Sequence, residues 1–248
     1  MTEQRVTVTI TDGVADVRLN RPEKRNALDN AMFAGLITVG ERLKTEPGVR
    51  AVVLSGEGPD FCAGLDFAAF QAMRDGERLS LQVDLPPAQG PARATGQRAA
   101  YVWAELPVPV IAAVTGNALG GGLQIALGAD IRIVAPDARM SVLEIRWGLI
   151  PDMTGSQLLP ELVGRDVAKE LTFSGRMVSG TEAVALGLAT RVDPDPRKAA
   201  LDLAGRVDLA AGFAAEQKEI GALIGSPNQV EAVAAEFGKR PPDFTDPA

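Results

Sequence analysis

Short apolar runs closed by glycine or proline alternate with stretches of helical period over the first two thirds of this 248-residue sequence. That alternation requires crossover connections between strands of one sheet, which defines an α/β fold. Val6, Val8 and Ile10 alternate with polar residues as in a half-buried strand. Asp12-Gly13 is a hairpin turn signal, and residues 14–19 read as the returning strand. Residues 28–43 carry apolar side chains at helical spacing, with Asp29 placed to cap them and Pro47-Gly48 to stop them. Buried strands are predicted at 50–55, 108–114 and 130–134, the second restricted at its start by Pro107 and Pro109. Helices are predicted at 120–127, 157–162, 167–173 and 181–186. From 195 to 237 the pattern is helical only, with breaks expected at Gly212 and at Ser226-Pro227. Residues 84–91, rich in proline and glycine, read as a loop, either functional or a plain connector.

Composition removes several function classes. There is no histidine, so a Ser-His-Asp triad, a Cys-His pair and a histidine metal site are impossible. Proton transfer is left to carboxylates, lysine, Tyr101, Cys62, water or oriented backbone groups. The net charge of −7 argues against nucleic acid as the main partner. The single cysteine, Cys62, fits a reducing compartment, so a cytoplasmic location is expected. The first residues lack the basic flank and apolar core of a signal peptide, and no apolar run reaches membrane-spanning length.

Two glycine-containing turns each follow a predicted strand and open a helix: Asp60-Phe-Cys-Ala-Gly-Leu-Asp66 and Thr115-Gly-Asn-Ala-Leu-Gly-Gly-Gly-Leu-Gln124. Facing one another, they could hold an oxyanion between backbone N–H groups. Alternatively, their glycines only shape tight turns. The second turn is one glycine short of a dinucleotide fingerprint and lacks its downstream acid, and no phosphate loop of the Walker type is present.

With these turns in place, the sequence resembles the enoyl-CoA hydratase/isomerase (crotonase) superfamily. Asn20-Arg-Pro-Glu-Lys-Arg-Asn-Ala-Leu28 resembles its first CoA-contacting segment, and Phe61-Cys-Ala-Gly-Leu-Asp66 and Gly116-Asn-Ala-Leu-Gly-Gly-Gly122 its two oxyanion turns. Glu144 with Gly148-Leu-Ile-Pro151 resembles its catalytic-acid segment. Phe173-Ser-Gly-Arg176 and residues 183–188 resemble the segment that follows, and Lys239-Arg-Pro-Pro-Asp-Phe244 the C-terminal end. The resemblance implies a spiral of ββα units over residues 1–194 and a helical trimerisation region over 195–248, assembled as a homotrimer or a dimer of trimers. It implies an acyl-CoA thioester as substrate and no other cofactor. The oxyanion donors carry over to the backbone N–H of Leu65 and Gly121, and CoA contacts to Lys24, Arg25, Ala27, Ala63 and Lys239. Lys24 and Arg25 also suit plain surface cations. Many relatives have a lysine where this chain has Ala68, so one phosphate contact is missing.

Hydratases of the family use two glutamates, and here the first place is Gln124 and the second Glu144. An amide has no proton to exchange near neutral pH. One carboxylate suffices for a delta-3/delta-2 enoyl-CoA isomerase, which is the first expectation, with Glu144 as base. The second is a hydratase using Glu144 with Gln124 or Asp152 orienting water. The third is a non-catalytic acyl-CoA-binding protein. Asp152 also suits a helix cap, and Glu144 an ion pair with Arg139 or Arg146. Leu143, Ile145, Trp147 and Ile150 are placed to wall an acyl pocket or to serve as core.

Overall fold

The computed structural model describes residues 4–75, 85–88 and 90–245, without the side chains of 209–211. Asp84 and Gln89 of the expected loop lie outside the described residues. Two compact units divide the chain, 1–207 and 208–248.

In the first unit, β1 (Val6–Thr11) and β2 (Val14–Leu19) form the expected hairpin. Asp12 and Gly13 both have positive φ, 49° and 76°, the type I′ geometry whose twist matches paired strands. Helix α1 (Asn30–Leu43) starts where Asp29 accepts from the Met32 amide. Then come β3 (Ala51–Gly56), α2 (Phe67–Arg74) and α3 (Thr95–Tyr101). Next are β4 (Val110–Val114), β5 (Asn117–Leu119) and α4 (Gly121–Leu127), then β6 (Ile131–Val134) and β7 (Arg139–Ser141). A 3-10 turn, Glu144–Trp147, leads to α5 (Gly155–Val163) and α6 (Arg165–Ser174). The unit ends with β8 (Val178–Ser179), α7 (Gly180–Ala185), β9 (Arg191–Val192) and α8 (Pro196–Ala204).

The main sheet runs β1-β2-β3-β4-β6-β9, parallel except for the β1–β2 hairpin. A small second sheet runs β5-β7-β8. The later turns of the chain add one strand to the main sheet, one to the small sheet, and then a helical segment, as in β4-β5-α4. The first two turns reach the small sheet only through single parallel bridges, Leu28 to Leu65 and Cys62 to Ala118. This is the ββα spiral. The small strands are absent from the sequence reading because two or three residues show no period.

Both faces of the main sheet are covered, as a parallel sheet requires. Val52, Leu54, Val110 and Ala112 point into the larger core with Leu36, Ile37 and Trp103. The alternate residues Ala51, Val53, Ile111 and Ala113 meet Ala199, Ala200 and Ala204 of α8. Because α8 lies on the sheet, the first unit runs past residue 194, where the sequence placed the boundary, to Val207.

The second unit contains α9 (Leu209–Leu223) and α10 (Pro227–Phe237). Helix α9 runs through Gly212, so the expected break there does not occur; the helix begins after residues 205–208 instead. An added Cβ at Gly212 would meet nothing within 4 Å, so this glycine is a propensity cost of about 1 kcal/mol that the helix absorbs. The break at Ser226-Pro227 is present, with Ser226 capping α10. No helix among the described residues is long and apolar enough to cross a membrane.

Candidate active site

The two glycine-containing turns lie side by side in parallel register. Phe61 N–H donates to Thr115 O (2.8 Å), Cys62 N–H to Asn117 O (2.8 Å), and Leu119 N–H back to Cys62 O (3.0 Å). Close approach explains the small residues. A Cβ on Gly122 would sit 2.4 Å from Cys62 O, and one on Gly64 2.7 Å from Leu119 O. Gly120 has φ 53° and ψ −122°, a conformation closed to side chains, and a Cβ there would crowd the Glu144 carboxylate.

Neighbouring amides are consumed. Ala63 donates to Arg25 O, Asp66 to Leu28 O, and Gly120 to Ser141 O. Among the described residues nothing accepts from Leu65 N–H or Gly121 N–H. Both residues line one cavity of about 860 Å³, together with Glu144 and Asp152. An unpartnered amide beside a cavity is a donor for a ligand's oxygen.

Glu144 opens the 3-10 turn and is 8% exposed. Its Oε1 accepts from Gln124 Nε2 at 2.6 Å, while its Oε2 is buried without a partner. The Gln124 carboxamide is oriented by its other end, because Oε1 accepts from Met153 N–H and Gly155 N–H, each at 2.9 Å. The NH2 therefore faces Glu144 and the amide carries no open acceptor toward the substrate space. Between those two backbone donors sits Thr154 at φ 75°, a left-handed conformation costly for a β-branched residue. Burial pushes the Glu144 carboxyl above the ordinary glutamate range, against hydrogen bonds from its own backbone and Gln124; the charge of Asp152 pushes it the same way. Glu144 pairs with neither Arg139 nor Arg146, which removes the structural ion-pair alternative.

Asp152 lines the cavity and is exposed. Thr154, not Asp152, holds the cap position of α5, and no side chain caps that helix, so the cap expectation for Asp152 fails. Of the expected acyl wall, Leu143, Trp147 and Ile150 line the cavity; Ile145 does not and lies against Gly175. Trp103 is core, donating to Ala99 O. Of the expected CoA contacts, Arg25 and Ala63 line the cavity. Ala63 has its amide occupied and only its carbonyl open. Lys24 is exposed on a short 3-10 turn, and the Ala27 carbonyl already accepts from Arg21. Lys239 belongs to the second unit, exposed at φ 48° where the chain turns back after α10.

Several supporting residues escaped the sequence reading. Asn26, fully buried at φ 55°, accepts from Arg21 N–H and donates to Glu57 O and Asp60 O, tying the first segment to the first turn. Asp60 accepts from the Asn117 amide and side chain, tying the first turn to the second. Arg21 reaches Asp66, which caps α2 directly after Leu65. An asparagine within a run of charged residues was the only signal, since asparagine tolerates the left-handed region.

The family model "Enoyl-CoA hydratase/isomerase" matches residues 9–206. Mouse mitochondrial methylglutaconyl-CoA hydratase is 34% identical over 94% of this chain and 79% of its own. Human mitochondrial enoyl-CoA hydratase domain-containing protein 2 is 34% identical over 94% of this chain and 85% of its own. The crystal structure of an enoyl-CoA hydratase from Bacillus anthracis superposes with a TM-score of 0.70 at 28% identity, covering 97% of this chain and 99% of that one. The ββα spiral is thus the crotonase fold, and a match running from the first hairpin through α8, with relatives alike over nearly the full length, makes this chain an enzyme of the enoyl-CoA hydratase/isomerase family.

Proposed function

We propose that the chain shifts the double bond of a 3-enoyl-CoA to the 2-position, with Glu144 as the only acid/base. The free Glu144 Oε2 takes a proton from C2, the bonding pair flows toward the thioester carbonyl, and the dienolate oxygen rests on the Leu65 and Gly121 amides. The same proton returns at C4 and the double bond settles between C2 and C3. Each amide of this kind contributes about 10²–10³ in rate, and a positioned base about 10²–10⁴. The observation that carries this reading is the Gln124–Glu144 pair: the amide at position 124 has both ends occupied, so of these two positions only Glu144 offers an unpartnered carboxylate oxygen. Arg25 and Ala63, which line the same cavity, hold the CoA in this reading, with Lys24, Ala27 and Lys239 as its other contacts. Glu144→Gln should cost at least about a hundredfold in 3-enoyl-CoA isomerisation; an unchanged rate rejects the proposal.

A second reading, hydration, is favoured by the relatives' names and by Asp152 at the cavity, where it would orient water. Asp152→Asn separates the two. Under the isomerase reading it leaves the proton shift within a few-fold of wild type; under the hydratase reading it removes crotonyl-CoA hydration.

A further inference from the structure

Helix α2 is apolar along one edge yet buries no residue. Its Phe67, Phe70 and Met73, spaced i, i+3 and i+6, all line the cavity instead of joining the core. The Phe70 ring stacks on Trp147 at 4.1 Å and 20°, and Phe67 meets Trp147 edge-on at 6.1 Å. A helix with an apolar stripe against empty space is completed by an apolar occupant.

The position of that aromatic wall relative to Glu144 is set by local geometry. Glu144 and Trp147 are the first and last residues of a 3-10 turn, in which side chains at i and i+3 eclipse. Both residues line the one cavity, their backbone positions roughly 6 Å apart along the axis at about 2.0 Å rise per residue. That span is at least about four C–C bonds of roughly 1.5 Å. With C2 at Glu144, which rests on the function proposed above, a chain first reaches the ring wall at about its sixth carbon. The charges also discriminate. Among the described lining residues Arg25 is the only cation, and its side chain lies 3.7 Å from Asp60, beside the first oxyanion turn. The remaining charges, Glu144 and Asp152, are acidic and would repel a second carboxylate.

We propose that this cavity selects neutral hydrocarbon acyl groups of about six or more carbons, with the stacked Phe70–Trp147 pair as the wall they meet, and rejects acyl groups that end in a carboxylate. The test is calorimetric binding of saturated CoA esters, which cannot isomerise or hydrate; a failed proton-shift assay therefore leaves its outcome readable. Octanoyl-CoA should bind at least about tenfold tighter than butyryl-CoA, since the CoA contribution is common to both. Octanedioyl-CoA, of equal length but ending in a carboxylate, should bind at least about tenfold more weakly than octanoyl-CoA. Trp147→Ala should compress the octanoyl-to-butyryl ratio at least about fivefold, with Phe70→Ala acting in the same direction. Equal affinities for octanoyl- and butyryl-CoA, equal affinities for octanoyl- and octanedioyl-CoA, or a ratio untouched by both variants would each overturn the proposal. Circular dichroism of the variants separates a lost wall from a lost fold, and Trp147→Phe, which keeps an aromatic ring, should restore most of the ratio.

Discussion

Gln124 Nε2 lies 2.6 Å from Glu144 Oε1, and the same carboxamide accepts through its oxygen from the Met153 and Gly155 amides. One side chain thus holds the strained Thr154 turn and aims the Glu144 carboxylate, the proposed base. It also lowers the Glu144 pKa, against a larger upward push from burial.

The acid limb of the kcat/KM profile should therefore lie above the ordinary glutamate value of about 4.3. Gln124→Ala removes a hydrogen bond that favours the charged form, so the limb should move to still higher pH, with kcat reduced because two backbone donors lose their acceptor. A limb that stays put or moves down would contradict the pair's electrostatic role.

Gln124→Glu would place a second carboxylate against Glu144. Like charges at that distance cannot both ionise easily, so one of the pair should titrate well above the normal range. Under the single-base reading this variant gains crotonyl-CoA hydration relative to wild type while losing isomerisation near neutral pH. The ratio of the two activities, measured on one preparation, checks it.

Gly122→Ala sets a methyl group 2.4 Å from Cys62 O, a backbone atom that can move only with the first glycine-containing turn. We expect a loss of about 1–3 kcal/mol in urea unfolding and a drop in kcat, because the Leu65 amide shifts with the turn. The control Gly212→Ala meets nothing within 4 Å and should be neutral or slightly stabilising.

The Cys62 thiol is fully buried and pushed up to about 12 by that burial, with an opposing contact from the Gly64 backbone. It donates to Asn26 O, joining the first turn to the segment at residues 20–28. The folded enzyme should resist iodoacetamide at pH 8 for hours and react on unfolding in urea. Quantitative labelling of native protein at the rate of a free thiol would refute the turn's packing.

Burial raises the Asp66 carboxyl, but the Ala68 amide and the Arg21 guanidinium outweigh it and hold Asp66 below the ordinary range. A depressed folded value contributes stability above the unfolded pKa of about 3.9 and loses it as pH falls through the folded value. Arg21→Ala should cost about 1.5–3 kcal/mol at pH 7 and flatten the acid side of the stability curve below about pH 4.

Phe213 at 62% exposure and Phe237 at 87% lie on α9 and α10, helices that bury little of their apolar surface within their own unit. We expect a second and third copy to cover them. Light scattering should give a mass of three or six chains of 26.0 kDa each, and Phe237→Asp should shift it toward one.

The sequence alone determined the elements long enough to show a period and the motifs whose chemistry is local. The β1–β2 hairpin, α1 with its Asp29 cap, the apolar β3, β4 and β6, and the glycines at 120–122 were all legible, because alternation, helical spacing and backbone constraint are written in neighbouring residues. The same holds for the amide at 124 and the carboxylate at 144, which posed the choice between one base and two. Only the tertiary structure decided what those residues do to each other. Strands of two or three residues carry no period, so β5, β7 and β8 arise only when the spiral lays one turn against the next. The orientation of Gln124 depends on the amides of residues 153 and 155, some thirty positions away. Leu65 and Gly121 come to line one cavity only because the spiral lays the first glycine-containing turn against the second, while the amides of Ala63, Asp66 and Gly120 find acceptors in other segments, which no single stretch of chain can reveal.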